Sequence, residues 1–336
     1  MRAGGRTMEE MTMNFTLERP AAVRNAAEAK KGVNWFLEIL VFGLVFLTVT
    51  VGETILTIPP MLVIMLTNPE FLAAALNGST SVDEAANAIV SSDAVTICML
   101  FANLAMIGIV MLFCRAVQKR KMNTLGFVKK NMGKEYLKGL GFGFLLFSAA
   151  VLICVLTGSL KLEGISEGFT PGVFLLFVLG FLIQGMAEEV LCRGYFLVSF
   201  GRRHSMWAAA LANALLFAML HLGNSGISPL ALINLTLFGI FASVYFVKSG
   251  NIWGVGAFHS IWNLVQGNFY GIRVSGINTA CSVFSSTPVE GRSLINGGAF
   301  GLEGGLAVTV VLVLGTLFLF WKYPSREADY KEADPR

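Results

Sequence analysis

The stretch Val173–Phe200, VFLLFVLGFLIQGMAEEVLCRGYFLVSF, decides the fold. It is longer than the roughly 20 mostly apolar residues that cross a bilayer core, so it reads as a membrane-spanning helix. Its second half nevertheless holds Glu188, Glu189 and Arg193 within two helical turns. An ionisable group inside a span costs at least about 2–3 kcal/mol, so these three residues need a reason to be there.

Outward from this stretch, seven more segments pass or nearly pass the same length test. They are about Trp35–Leu66, long enough to tilt or to break at Pro59 and Pro60, then Ile89–Cys114, Leu140–Leu156 and the short Trp207–Leu222. Leu230–Val247, Ile252–Phe269 (interrupted by His259 and Asn263) and Leu306–Trp321 complete the set. Outer-membrane barrels show alternating ten-residue segments, so these continuous runs read as helices. The expected architecture is an all-α polytopic membrane protein with eight transmembrane helices. Composition agrees: of 336 residues 55% are hydrophobic and 14% charged, against roughly 25% charged in soluble domains. A mean hydropathy of +0.68 excludes a water-solvated globule, and 36 Gly with 27 Phe suit closely packed apolar helices. The chain divides into an N-terminal arm, 1–34, an eight-helix region, 35–321, and a tail, 322–336.

Lys and Arg set the expected orientation. Arg2, Arg6, Arg19, Arg24, Lys30 and Lys31 precede the first span, and Arg115, Lys119, Arg120, Lys121, Lys129, Lys130, Lys134 and Lys138 lie between the second and third. Arg202, Arg203, Lys248, Lys322 and Arg326 follow later even-numbered spans, whereas the alternate connections hold only Lys161, Arg273 and Arg292. Both termini are predicted cytoplasmic, in a multi-pass protein of the plasma membrane. No cleavable leader is visible before Trp35, so the first span is expected to direct its own insertion. Cys98, Cys114, Cys154, Cys192 and Cys281 form no CxxC, which predicts neither a disulfide framework nor a metal site. The basic residues are juxtamembrane and offer no nucleic-acid surface. The segment 270–303 reads as a connector, with a lid as the alternative, and Glu53 is an intramembrane carboxylate with no assigned partner.

Glu189 and Arg193 stand at i and i+4, where an acid N-terminal to a base pairs well. Glu188 lies about 100° round the helix and lacks that partner. One carboxylate is thus held ionised, while the other is free to face a cavity as a general acid or base. Of three histidines, His204 is expected at an exposed interface, His221 ends the fifth span, and His259 sits within the seventh with Asn263 one turn on. His259 and Asn263 point the same way and offer two hydrogen-bonding groups to one spot. Taken as residues alone, the set admits several readings. One is a buried charge network that braces a helix end, in a membrane binding or immunity protein without activity. A second is a zinc hydrolase, although neither HExxH nor HxxEH is present. Serine catalysis through Ser260 fails on direction, because Ser260 points about 100° away from His259, and Ser199 has no GxSxG elbow. A transporter lacks repeat symmetry. Metal-free activation of water by Glu188 with His221, with His259 and Asn263 donating to an oxyanion, gives each member a role its chemistry permits.

These residues resemble the CPBP (Abi) family of membrane proteases, which includes the CAAX prenyl endopeptidases and bacteriocin self-immunity proteins. Its ordered motifs read here as Glu188-Glu189-Val-Leu-Cys-Arg193, Phe217-Ala-Met-Leu-His221 and His259-Ser-Ile-Trp-Asn263. The resemblance spans about Val173–Phe269 and implies an eight-helix glutamic intramembrane endopeptidase with a polar cavity, independent of metal and cofactor. It further implies that Glu188 and His221 activate water, that His259 and Asn263 stabilise the oxyanion, and that Glu189 and Arg193 support the site. The partners implied are the bilayer and a membrane-associated or lipid-modified peptide or protein. Nothing in the sequence selects prenylated substrates or an oligomeric state. At 1.5 Å per residue, Glu188 lies about 18 Å, His221 about 21 Å and His259 about 10 Å from the inner ends of their spans, so they meet only if the seventh starts deeper or tilts.

Overall fold

Every apolar segment folds as a helix in the computed structural model, which describes residues 15–76 and 81–323. The basic residues Arg2, Arg6 and Arg326, the first part of the arm and the tail beyond Tyr323 lie outside that range. The helices in chain order are α1 (Ala21–Ala29), α2 (Trp35–Thr67), α3 (Pro69–Leu76), α4 (Ser81–Val90), α5 (Asp93–Ala116, with a turn at Asn103) and α6 (Met132–Leu156). Then come α7 (Pro171–Gly201), α8 (Met206–Leu220), α9 (Pro229–Ser249), α10 (Trp253–Leu264, extended by a π turn over Val265–Phe269) and α11 (Leu306–Lys322). Of the described residues, 73% are helical. Five helices, α2, α5, α6, α7 and α9, are long and apolar enough to cross a membrane, while α8 and α11 are shorter apolar helices.

Short polar side chains start the helices. Asn34, Ser205 and Ser228 accept from the amides of Leu37, Ala208 and Ala231 at 2.9, 3.2 and 3.1 Å. Pro59 and Pro60 do not break α2, which runs through both. Three features depart from the sequence expectation. The 67–88 connection is helical in α3 and α4. The arm before α2 packs down, with Val23 and Ala26 of α1 fully buried. The segment 270–303 is not a plain connector: its strand β2 (Phe284–Pro288) pairs antiparallel with β1 (Leu160–Ile165), so the otherwise helical fold carries a two-stranded sheet. Asp93 ties this segment to α5, accepting from the amides of Ala280 and Cys281 at 2.8 Å each.

Helix α10 is the central element. Small residues let its neighbours approach: a Cβ on Gly139 would meet the Gly254 carbonyl oxygen at 2.1 Å, and one on Gly143 would meet Ile261 Cγ2 at 2.4 Å. This is the close backbone packing that Gly pairs at i and i+4 permit between apolar helices. Rings of Phe142, Phe238 and Phe241 gather round Phe258 of α10, and Phe147 meets Trp262 of the same helix edge-on at 5.0 Å. The connection between α5 and α6 folds underneath. The Ile252 amide donates to Gly126 O at 3.0 Å, Trp253 Nε1 donates to Val128 O at 2.9 Å, and Leu125 and Ile252 are fully buried. α10 therefore begins on a packed layer of chain.

Candidate active site

Gly185 brings α7 against α10, since a Cβ there would lie 2.4 Å from the Ser260 amide nitrogen. One turn further on, the two acidic residues of α7 meet the polar residues of α10. Arg193 Nη1 donates to Glu189 Oε1 at 2.8 Å, both side chains being fully buried, and Nη2 donates to Gly239 O at 3.2 Å. The guanidinium also lies 5.0 Å from the centre of the Phe217 ring. His259 Nδ1 is 2.8 Å from the same Glu189 oxygen. A carboxylate oxygen paired with Arg accepts, so Nδ1 carries the proton and donates, which directs Nε2 elsewhere. Nε2 lies 3.7 Å from Glu188 Oε2. The expected asymmetry of the carboxylates thus has a geometric form. Glu189 is locked between a guanidinium and an imidazole, while the Glu188 side chain keeps 22% of its surface accessible.

The other oxygen of Glu188 has a partner that the sequence reading missed. Gln184, one turn earlier on α7, donates through Nε2 to Glu188 Oε1, and its own Oε1 accepts from Asn263 Nδ2 at 3.0 Å. Its signal was the i, i+4 spacing to Glu188 on an apolar span. A chain of polar contacts therefore runs Asn263, Gln184, Glu188, His259, Glu189, Arg193, hydrogen-bonded at every step except the 3.7 Å approach of Glu188 to His259. Of the six residues singled out from sequence, it joins five.

His221 stands beside this chain and is not hydrogen-bonded to it. It closes the end of α8, half-buried, with Nδ1 2.8 Å from Phe217 O. The carbonyl can only accept, so Nδ1 carries a proton and Nε2 is left as the ring's other nitrogen. Phe217 connects the two imidazoles through space, its ring centre being 4.7 Å from His221 and 6.0 Å from His259. Glu53 follows Phe42, Val45 and Val49 on the buried stripe of α2, its carboxylate within electrostatic reach of Glu188. His204, expected exposed, is half-buried against Phe200 at 4.5 Å between ring centres. Ser199 is engaged by Arg120 and Gln118 and not by the polar chain. Among the described residues no three His, Cys, Asp or Glu side chains converge on a point where a metal ion would sit.

These helices and this chain of ionisable groups make the protein an integral membrane protein with a buried acid–imidazole centre. Residues 170–265 match the family described as Type II CAAX prenyl endopeptidase Rce1-like, which bears out the resemblance read from the three motifs. The match runs from just before α7 into the π turn after α10, under a third of the chain, and contains Glu188, Glu189, Arg193, His221, His259 and Asn263. No curated protein and no solved structure matches the chain.

Proposed function

We propose that the protein is a metal-independent glutamic endopeptidase that hydrolyses peptide bonds of membrane-associated or lipid-modified substrates. The observation that carries this reading is Glu188, an acid only partly covered by protein, whose two oxygens face Gln184 and His259 among apolar helices. A bracing network has no use for an accessible acid there. Glu189 and Arg193 already form the buried pair, and Glu189 Oε2 and Arg193 Nε remain without hydrogen-bond partners among the described residues.

In the proposed reaction, the Glu188 carboxylate takes a proton from water, helped by His221 Nε2, and the hydroxide attacks the scissile carbonyl carbon. The tetrahedral oxyanion is held by donors from α10. With Nδ1–H of His259 committed to Glu189, a doubly protonated ring presents its second N–H at Nε2. Asn263 uses one amide hydrogen on Gln184 and has a second to give. Collapse breaks the C–N bond, and the leaving amine takes the proton back from Glu188. The topology that goes with this reading has eight crossings, α2 and α5 to α11, with both termini cytoplasmic in a prokaryotic plasma membrane. It is supported by the alternation of basic connections and by the two shorter apolar helices.

Glu188→Gln is expected to abolish cleavage of membrane peptides while thermal stability stays near wild type, because the amide still accepts from Gln184. Peptidomics of membranes holding wild-type or Glu188→Gln protein reads both activity and substrate. Unchanged cleavage in the variant refutes the assignment, and activity lost to a chelator and restored by zinc transfers it to a metalloprotease.

A further inference from the structure

The eight residues that follow Glu189, Val190–Leu197, form a π helix within α7. In a π turn each carbonyl bonds to the amide five residues on, so the helix widens and its carbonyls become open to other donors, and such turns are frequent at functional sites. Here two of those carbonyls are taken by side chains from distant elements. Asn213 Nδ2 on α8 donates to Cys192 O at 2.6 Å, and Arg120 Nη2, from the connection between α5 and α6, donates to Gly194 O at 3.0 Å. The residue between the two clamped carbonyls is Arg193.

Both clamps are built to stay. Asn213 is 1% exposed, and its Oδ1 accepts from Ser243 Oγ at 3.3 Å. Ser243 lies one turn beyond Gly239, whose carbonyl takes Arg193 Nη2. Arg120 is equally buried, and its direct partners are all neutral: Thr124 Oγ1 and O, Gln118 Oε1, Ser199 Oγ, Cys114 Sγ and Gly194 O. Burial lowers its pKa to about 10. A buried guanidinium with no carboxylate in direct contact is costly, which sets it apart from the exposed basic residues that orient the chain. From the clamp the contacts run in series: Arg193 to Glu189 at 2.8 Å, Glu189 to His259 Nδ1 at 2.8 Å, and His259 Nε2 towards Glu188 at 3.7 Å.

We propose that Asn213 and Arg120 are positioning residues that hold the π turn open on both sides of Arg193, and thereby fix the His259 ring with Nε2 towards Glu188. This rests on the proteolytic reading only in what the ring is for; the positioning itself is a property of the fold. Neither residue hydrogen-bonds to Glu188, His221, His259 or Asn263, and each acts through Arg193 and Glu189.

The test uses the full chain in nanodiscs of phosphatidylethanolamine and phosphatidylglycerol, as wild type, Asn213→Ala and Arg120→Lys. Lysine keeps the charge but cannot reach both Thr124 O and Gly194 O. Histidine-labelled protein reports the Nδ1 proton of His259, assigned by its disappearance in His259→Asn and expected far downfield because it faces a carboxylate. In both variants this resonance is expected to move upfield or broaden, with kcat for a membrane peptide down about tenfold and KM within about twofold. A resonance unchanged in both variants overturns the proposal, whatever the activity does. If the wild type cleaves nothing and Glu188→Gln is equally inert, the proteolytic reading fails, while the ring resonance still decides the positioning. Should Asn213→Ala not fold, the resonance in Arg120→Lys decides the positioning alone.

Discussion

Replacing Gly185 with alanine asks whether the site depends on the approach of α7 to α10. The new Cβ would sit 2.4 Å from the Ser260 amide nitrogen and 2.6 Å from both its Cα and its Oγ. Two of these atoms are backbone and cannot rotate aside, so the helices must part by about 1 Å to reach ordinary contact. The bond between Glu189 and His259 would then stretch from 2.8 Å to about 3.8 Å, beyond hydrogen-bond range. Losing a hydrogen bond to a charged group costs about 1.5–3 kcal/mol, and overpacking adds about 1–3 kcal/mol. A displacement of this size at reacting groups lowers rates about a hundredfold. Cleavage of a fluorogenic peptide in nanodiscs should therefore show kcat down by about that factor, and thermal unfolding should show a lower midpoint. Gly141→Ala is the control, because a Cβ there meets nothing within 4 Å, and it should leave both measurements unchanged. If Gly185→Ala kept kcat within about twofold of wild type, helix proximity would not be what assembles the site.

Glu38 and Arg202 form a second buried pair at the basic end, 3.1 Å apart and 2% and 4% exposed. Glu38→Ala strands the guanidinium and should cost about 3–5 kcal/mol in denaturant unfolding, with activity per folded molecule preserved. Ser260→Ala should cleave at the wild-type rate, because its Oγ reaches only Leu182 O, at 3.4 Å. A folded but inert Ser260→Ala protein would reopen serine catalysis. Gln184→Ala removes the partner shared by Glu188 and Asn263 and should reduce kcat about tenfold in initial-rate assays without lowering the thermal midpoint much. A full-rate variant would show that Asn263 and Glu188 need no bridge.

The helices were legible because an apolar run of this length has few other solutions, and most of their ends fall within a few residues of the expected ones, the exception being α6, which begins eight residues earlier, at Met132 instead of Leu140. The pairing of Glu189 with Arg193 and the shared direction of His259 and Asn263 were legible for a related reason: both are i, i+4 relations within one helix. Relations between helices were not. Gln184 looks like a tolerated polar residue until Asn263 arrives from α10. The strand at Phe284–Pro288 carries Ser285, Ser286 and Thr287, and its partner Leu160–Ile165 is distant in sequence, so neither shows a period that separates it from a loop. Arg120 and Arg202 read as orienting charges in the sequence, and only packing reveals that both are buried.

The start of the helix that carries His259 is held by a connection and not by a span. Counting from the expected span ends leaves His259 several ångströms shallower than Glu188, so the two meet only if the seventh helix starts deeper or tilts. In the structure the segment after α5 packs against the first residues of that helix, through Ile252 and Trp253. Lys119, Lys121, Lys129 and Lys130 stay exposed, while Thr124 and Leu125 between them are buried and Gly126 O takes the Ile252 amide. The chain's most basic connection is thus also the floor on which α10 stands. The same segment contributes Arg120 to the π turn of α7, so one connection bears on both helices that carry the polar chain. That coupling explains why a loop whose composition announces only orientation holds fully buried residues, and why it cannot be treated as interchangeable with any other basic loop of equal charge.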